Sequence, residues 1–202
     1  MIYKVCNLVS VMSLEGVIVR EVNWDKHNDV GTPQDCADVM TYFNQGLQDK
    51  AKFFPYVARL SKITDVEIQN RWAAIKDQAI TYVAEKEGKV VCSATLFLPD
   101  QPNLISWETY GHISLTDDPE YRNQGISTAV LEQLFKYCAK QEVPLKLHTS
   151  KENNGIRHML EQFGFRETSI IKNYDRYTDL VEGSGDAVEY VLSTEDLKHL
   201  FN

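Results

Sequence analysis

Glu108, His112 and the run Arg122-Asn123-Gln124-Gly125-Ile126-Ser127-Thr128 gather the residue types of this chain that could do chemistry together. Side chains of a strand alternate between its faces. Over residues 105–116, Glu108, Tyr110, His112, Ser114 and Thr116 share one parity, and Trp107, Thr109, Ile113 and Leu115 share the other. The polar parity carries two groups able to accept a proton: His112, of a type that titrates near 6.5, and Glu108 as the alternative. The same ladder would also suit a solvent-facing strand edge. The strand runs directly into the turn at Gly125. There a helix opens, with Ile126, Val130, Leu134 and Cys138 recurring every four positions and Ala129 and Leu131 widening the stripe. Backbone N–H groups at such a helix start have no intrahelical partners and stand at the positive end of the macrodipole, an arrangement that suits a phosphate.

The elements that position these residues are legible in order. Residues 2–11 alternate loosely as an added edge strand, and residues 17–22 are a β-branched strand after Gly16. Thr32, Pro33 and Asp35 start a helix carrying Cys36, Val39, Met40, Phe43 and Leu47. Residues 46–63 read as a surface connection or as a substrate-specificity loop. A capping box at 64–67 starts a second helix with Ile68, Trp72 and Ile75. Residues 79–84 and 89–98 form a hairpin with Gly88 in its turn. After the Gly125 helix come a strand at 143–149 and a helix from Asn153 with Ile156, Met159, Leu160 and Phe163, stopped by Gly164. A strand within 165–177, a last strand at 187–192 and a short helix capped by Ser193 close the chain. The pattern is α+β.

Composition bounds the function. A chain of 202 residues with 43% hydrophobic and 25% charged residues can bury one core. With 29 acidic against 21 basic residues the net charge is −8, which disfavours nucleic acid. The first ten residues are too short and interrupted for a secretory signal, and no apolar run reaches membrane length. Cys6, Cys36, Cys92 and Cys138 form no Cys-x-x-Cys pair, and no His/Asp/Glu spacing suggests a metal. A cytoplasmic protein with reduced thiols is expected. His148 reads as structural and His158 as solvated.

The element order, with Arg122-Asn123-Gln124-Gly125-Ile126-Ser127 at a helix start, resembles the GNAT superfamily of acyl-CoA-dependent N-acyltransferases, whose signature is Arg/Gln-x-x-Gly-x-Gly/Ala. Asn153 followed by Phe163-Gly164-Phe165 is similar to the family's Asn-led helix and its aliphatic-Gly-Phe turn. The resemblance covers roughly residues 17–192. It implies one domain with a mixed, mainly antiparallel central sheet flanked by helices. It further implies acetyl-CoA as co-substrate and transfer of its acetyl group to a primary amine of a small molecule or peptide. The pyrophosphate would rest on N–H groups of Gln124, Gly125, Ile126, Ser127 and Thr128, with Arg122 nearby and Asn153 as a further contact. The N–H near Leu115 would receive the oxyanion, and His112 or Glu108 the proton. Ser127 stands where the family has Gly or Ala, and Leu160 where many members carry an acid tyrosine, for which Tyr174 and Tyr177 are the alternatives. The lost tyrosine leaves open a catalytically silent acyl-CoA-binding module. The charge, with Asp117 and Asp118, leans towards a cationic amine, and an exposed strand edge could pair two copies into a homodimer.

Overall fold

A computed structural model describes residues 14–26, 34–45, 79–97, 111–172 and 186–201. The expected strand at 2–11, the start of the first helix at Thr32 and Pro33, the segment 46–63 and the helix after 64–67 lie outside these residues, as do Glu108, Tyr174 and Tyr177. The described elements are β1 (Val17–Glu21), α1 (Gln34–Gln45), β2 (Ala79–Lys86), β3 (Lys89–Phe97), β4 (Gly111–Asp117), α2 (Ile126–Gln141), β5 (Leu145–Ser150), α3 (Asn154–Gln162), β6 (Arg166–Ile171), β7 (Ala187–Leu192) and α4 (Thr194–Phe201). Their strands form one sheet in the order β1-β2-β3-β4-β5-β7-β6. Every neighbouring pair is antiparallel except β4 with β5.

Local chemistry explains most element ends. The β2–β3 turn is only Glu87-Gly88, with φ of 54° and 78°. Positive φ at both positions is the two-residue type I′ turn, and with a turn that short the strands run on to Lys86 and Lys89 beyond the point where their hydrophobic pattern stops. At the end of α2, Glu142 takes φ 57° and Val143 N–H donates to Cys138 O at 3.0 Å. That closure uses Val143, so β5 starts at Leu145, later than its alternation suggests. Ser193 Oγ accepts the N–H of Asp196 at 3.1 Å and caps α4.

The core lies between the sheet and α2. Ala84, Cys92, Ala94 and Leu96 from one half of the sheet, and Leu145, Leu147, Tyr190 and Leu192 from the other, pack with Ile126, Val130, Leu131, Leu134, Phe135 and Cys138. Helix α1 lies against β3 and β4, and its Asp35 is tied to the sheet by Arg20 of β1. Beside them the opposite parity is buried as well, with the hydroxyls of Thr81 and Thr95 3.0 Å apart.

Candidate active site

The site begins where two strands part. β4 and β5 run parallel, and among the described residues they pair only at Gly111 with Leu145 and His112 with Lys146. Beyond those pairs β4 continues against β3 as far as Asp117, while β5 continues against β7 as far as Ser150. The two strands therefore leave an opened flank that widens towards their shared C-terminal end. His112 sits at the closing point, in register with Phe97 on one side and Lys146 on the other. Leu115, opposite Ala94, falls on the opened stretch.

At the wide end, the turn into α2 is built by Asp118. This residue is 2% exposed. Its N–H donates to Val91 O at 2.8 Å, and its carboxylate accepts from Glu120 N–H at 3.0 Å. A 3-10 turn over Pro119–Tyr121 follows, then Asn123 and Gly125 in the left-handed region at φ 60° and 77°. Glycine takes that φ without strain; among the described residues a Cβ there would meet Leu14 Cδ2, at 3.9 Å. The first helical bond runs from Ala129 N–H to Gly125 O at 3.1 Å. Among the described residues, the N–H groups of Gln124, Gly125, Ile126, Ser127 and Thr128 therefore have no partner. Consecutive unpartnered donors around a left-handed glycine at a helix N-terminus fit a diphosphate, and the backbone is bare enough for one to approach.

The surrounding side chains support that turn. Gln124 accepts from Lys86 Nζ at 3.3 Å, and the same ammonium lies 5.3 Å from the centre of the Tyr121 ring. Arg122 Nε reaches the Asp117 carboxylate at 3.3 Å. Lys89 stands 3.6 Å from Asp118. Asp117 and Asp118, read from the sequence as attracting a cationic amine, are thus engaged in the turn, at the far end of β4 from its closing point. Ser127 Oγ lies 3.7 Å from Cys92 Sγ, whose thiol burial pushes up to about 12. Thr128 Oγ1 lies 3.9 Å from Met159 Sδ and so links α2 to α3. Asn153 caps α3 through its side-chain oxygen, which accepts Ile156 N–H at 3.4 Å. Leu160 is fully buried in the core.

One cluster was not singled out by sequence reasoning. Lys146 and His148 of β5 both reach Glu189 of β7: Lys146 Nζ and His148 Nε2 each stand 3.2 Å from Glu189 Oε2. Thr168 Oγ1 donates to the other carboxylate oxygen at 2.7 Å. Burial pushes the Glu189 carboxyl up, but the hydrogen bonds from Thr168, His148 and Lys146 outweigh it and hold it below the usual range. The shared parity of Lys146 and His148 was visible in the sequence; their partner was not. His158, by contrast, is exposed and meets Gln162 at 2.9 Å.

The parallel pair that opens towards a diphosphate cradle defines an acyl-CoA-dependent acyltransferase fold. The Acetyltransferase (GNAT) family signature matches residues 45–165, more than half of the chain, and the protein belongs to that family. An uncharacterized N-acetyltransferase of Methanocaldococcus jannaschii is 25% identical over 107 residues, which are 52% of this chain and 47% of the relative. The matched stretch thus spans about half of that curated relative's length. An N-acetyltransferase from Staphylococcus aureus superposes with a TM-score of 0.69 at 15% identity, over 89% of this chain and 99% of its own. A Salmonella typhimurium protein solved with its cofactor acetyl-CoA superposes at 0.66 with 13% identity, over 89% and 95%. At these identities the structural likeness concerns the fold.

Proposed function

We propose that this protein transfers the acetyl group of acetyl-CoA to a primary amine of a small molecule or peptide, in the cytoplasm, as one domain spanning residues 1–202. The observation that carries this reading is the β4–β5 flank opening onto unpartnered N–H groups from Gln124 to Thr128. Those groups would hold the pyrophosphate, with Ser127 and Thr128 in the first helical turn and Arg122 nearby, its N–H on Pro119 O at 3.5 Å and its side chain on Asp117. Asn153 would border the cofactor from the start of α3. The thioester arm would lie along the opened flank, so that the N–H near Leu115 stabilises the developing oxyanion.

Amine attack needs an unprotonated nitrogen. By position, His112 at the closing point of the strands is the candidate base on β4, with Glu108 its alternative. Leu160 is fully buried and has no proton to give, so the thiolate, with an ordinary pKa of about 8.5, leaves by taking a proton from solvent. The same residue favours the second reading, a silent acyl-CoA-binding module. Free-thiol release with a panel of polyamines, amino acids, aminoglycosides and peptide N-termini separates the two. Transfer predicts turnover with at least one amine, and a silent module predicts cofactor binding with none. In His112→Ala, a base on β4 predicts a loss on the order of 100-fold in kcat at neutral pH with cofactor affinity kept. The outer strands β1 and β6 expose Ile18 and Ile170, and pairing of two copies along either edge is read by light scattering.

A further inference from the structure

Among the described residues, the cations around the turn into α2 are Lys86, Lys89 and Arg122, and the last two each meet a carboxylate. Arg122 Nε reaches Asp117 at 3.3 Å, and Lys89 Nζ reaches Asp118 at 3.6 Å. Lys86 differs. Its ammonium donates to the neutral side-chain oxygen of Gln124 at 3.3 Å and lies 5.3 Å from the centre of the Tyr121 ring, and among the described residues it forms no ion pair. Both partners are uncharged and both belong to the turn, so they orient the ammonium without neutralising it. The Gln124 amide is held in its own turn, with Nε2 on Glu120 O at 3.5 Å. The β2–β3 hairpin delivers the lysine to this place. Its two-residue turn at Glu87-Gly88 lets β2 keep strand geometry as far as Lys86. Lys86 shares the parity of Ala84, which packs in the core with α2, so its side chain leaves the sheet on the side where α2 begins. In a chain of net charge −8, an ammonium is thus held beside the open N–H groups of Gln124 to Thr128, which themselves carry only partial charge.

We propose that Lys86 is a cofactor-binding residue, whose ammonium supplies a full positive charge to the diphosphate of acetyl-CoA. This rests on the cradle reading above and adds to it a side chain from outside the Gly125 turn. Backbone N–H groups fix where the phosphates sit; the ammonium balances their formal charge. The flexible four-carbon stem lets Lys86 exchange the Gln124 oxygen for a phosphate oxygen while its stem stays beside the Tyr121 ring. Neutral partners suit that exchange, because a carboxylate in their place would compete with the phosphate for the ammonium.

Calorimetric titration of acetyl-CoA and of its 3′-dephospho form into wild type, Lys86→Met, Lys86→Arg and Lys140→Met, each at low and at high salt, tests this. Lys140 is an exposed lysine in the last turn of α2, about 20 Å along the helix from Ile126, so its loss changes the net charge equally at more than a Debye length. Lys86→Met should weaken both ligands roughly 5- to 10-fold at low salt, and high salt should shrink the difference from wild type. Lys86→Arg and Lys140→Met should stay within about twofold of wild type. Wild-type affinity in Lys86→Met would overturn the proposal. So would a loss that salt leaves unchanged, which would mean that Lys86 only shapes the turn, or an equal loss in Lys140→Met, which would trace it to net charge. A loss seen with acetyl-CoA and absent with the dephospho form would move the charge to the 3′-phosphate and overturn the diphosphate assignment. No binding of either ligand by the wild type would instead overturn the cradle itself.

Discussion

Two carboxylates, Asp35 and Glu189, are each held by cations against the sheet, and they differ in what holds them. Asp35 receives both terminal nitrogens of Arg20, at 2.7 and 2.9 Å, and the N–H of Asn23 at 2.8 Å. Arg20 also spans to Glu85 at 2.7 Å, and the bond to Asp35 raises the guanidinium pKa further above its already high value. No partner there changes charge near neutrality, so the network is a fixed tie between β1, β2 and α1. Glu189 is held by Lys146, Thr168 and the imidazole of His148, a group whose type exchanges protons in the physiological range. Burial is common to both. The identity of the partner separates a tie of fixed charge from one that includes an imidazole.

Removing the tie should have the larger effect on stability. Arg20→Ala leaves Asp35, 2% exposed, with the Asn23 N–H as its hydrogen-bond donor among the described residues, and should cost about 2–4 kcal/mol in urea unfolding while acetyl transfer per folded molecule is retained. The tie also has a pH signature. Burial raises the Asp35 carboxyl, but Arg20 and the Asn23 N–H lower it more, so its folded pKa lies below the ordinary value. A depressed pKa contributes stability that is complete above the unfolded value of about 3.9 and is lost as pH falls through the folded one. Urea midpoints of the wild type should therefore drop below about pH 4, and Arg20→Ala should remove part of that drop. His148→Gln should have the smaller effect, with stability within about 1 kcal/mol of wild type, because the amide keeps a donor towards Glu189. Equal destabilisation in the two variants would erase the distinction. The smallest effect is expected at Ser127. Its hydroxyl is engaged by the weak donor Cys92, so Ser127→Ala should change acetyl-CoA affinity by less than about threefold in calorimetry.

The reach of sequence reasoning follows the range of the interactions involved. Gly88, Gly125, Asn153, Gly164 and Ser193 were readable because a turn or cap depends on residues within a few positions. The helix stripe from Ile126 to Cys138 was readable because its period is local, and all four of its residues are buried. The cradle was legible for the same reason, since residues 117–128 are contiguous. The closing point was not. β7 enters between β5 and β6, and no local pattern says that the last strand will divide two earlier ones. The partner of His148 is hidden in sequence because Glu189 is 41 residues away, and no local pattern tells that β4 and β5, among the described residues, share only the pairs at Gly111 and His112. Leu160 was flagged as a departure from the family pattern, and its complete burial accounts for it as a core residue.

The central claim is that the turn at Gly125 cradles the cofactor's pyrophosphate. Calorimetric titration of acetyl-CoA into Gly125→Asn and Gly125→Asp tests it, because Asn and Asp have nearly the same shape, both tolerate the left-handed φ of 77°, and they differ in charge. The account predicts measurable binding in the Asn variant and a loss of at least about 100-fold in the Asp variant, whose carboxylate would face the diphosphate. Equal affinity in the two would contradict it.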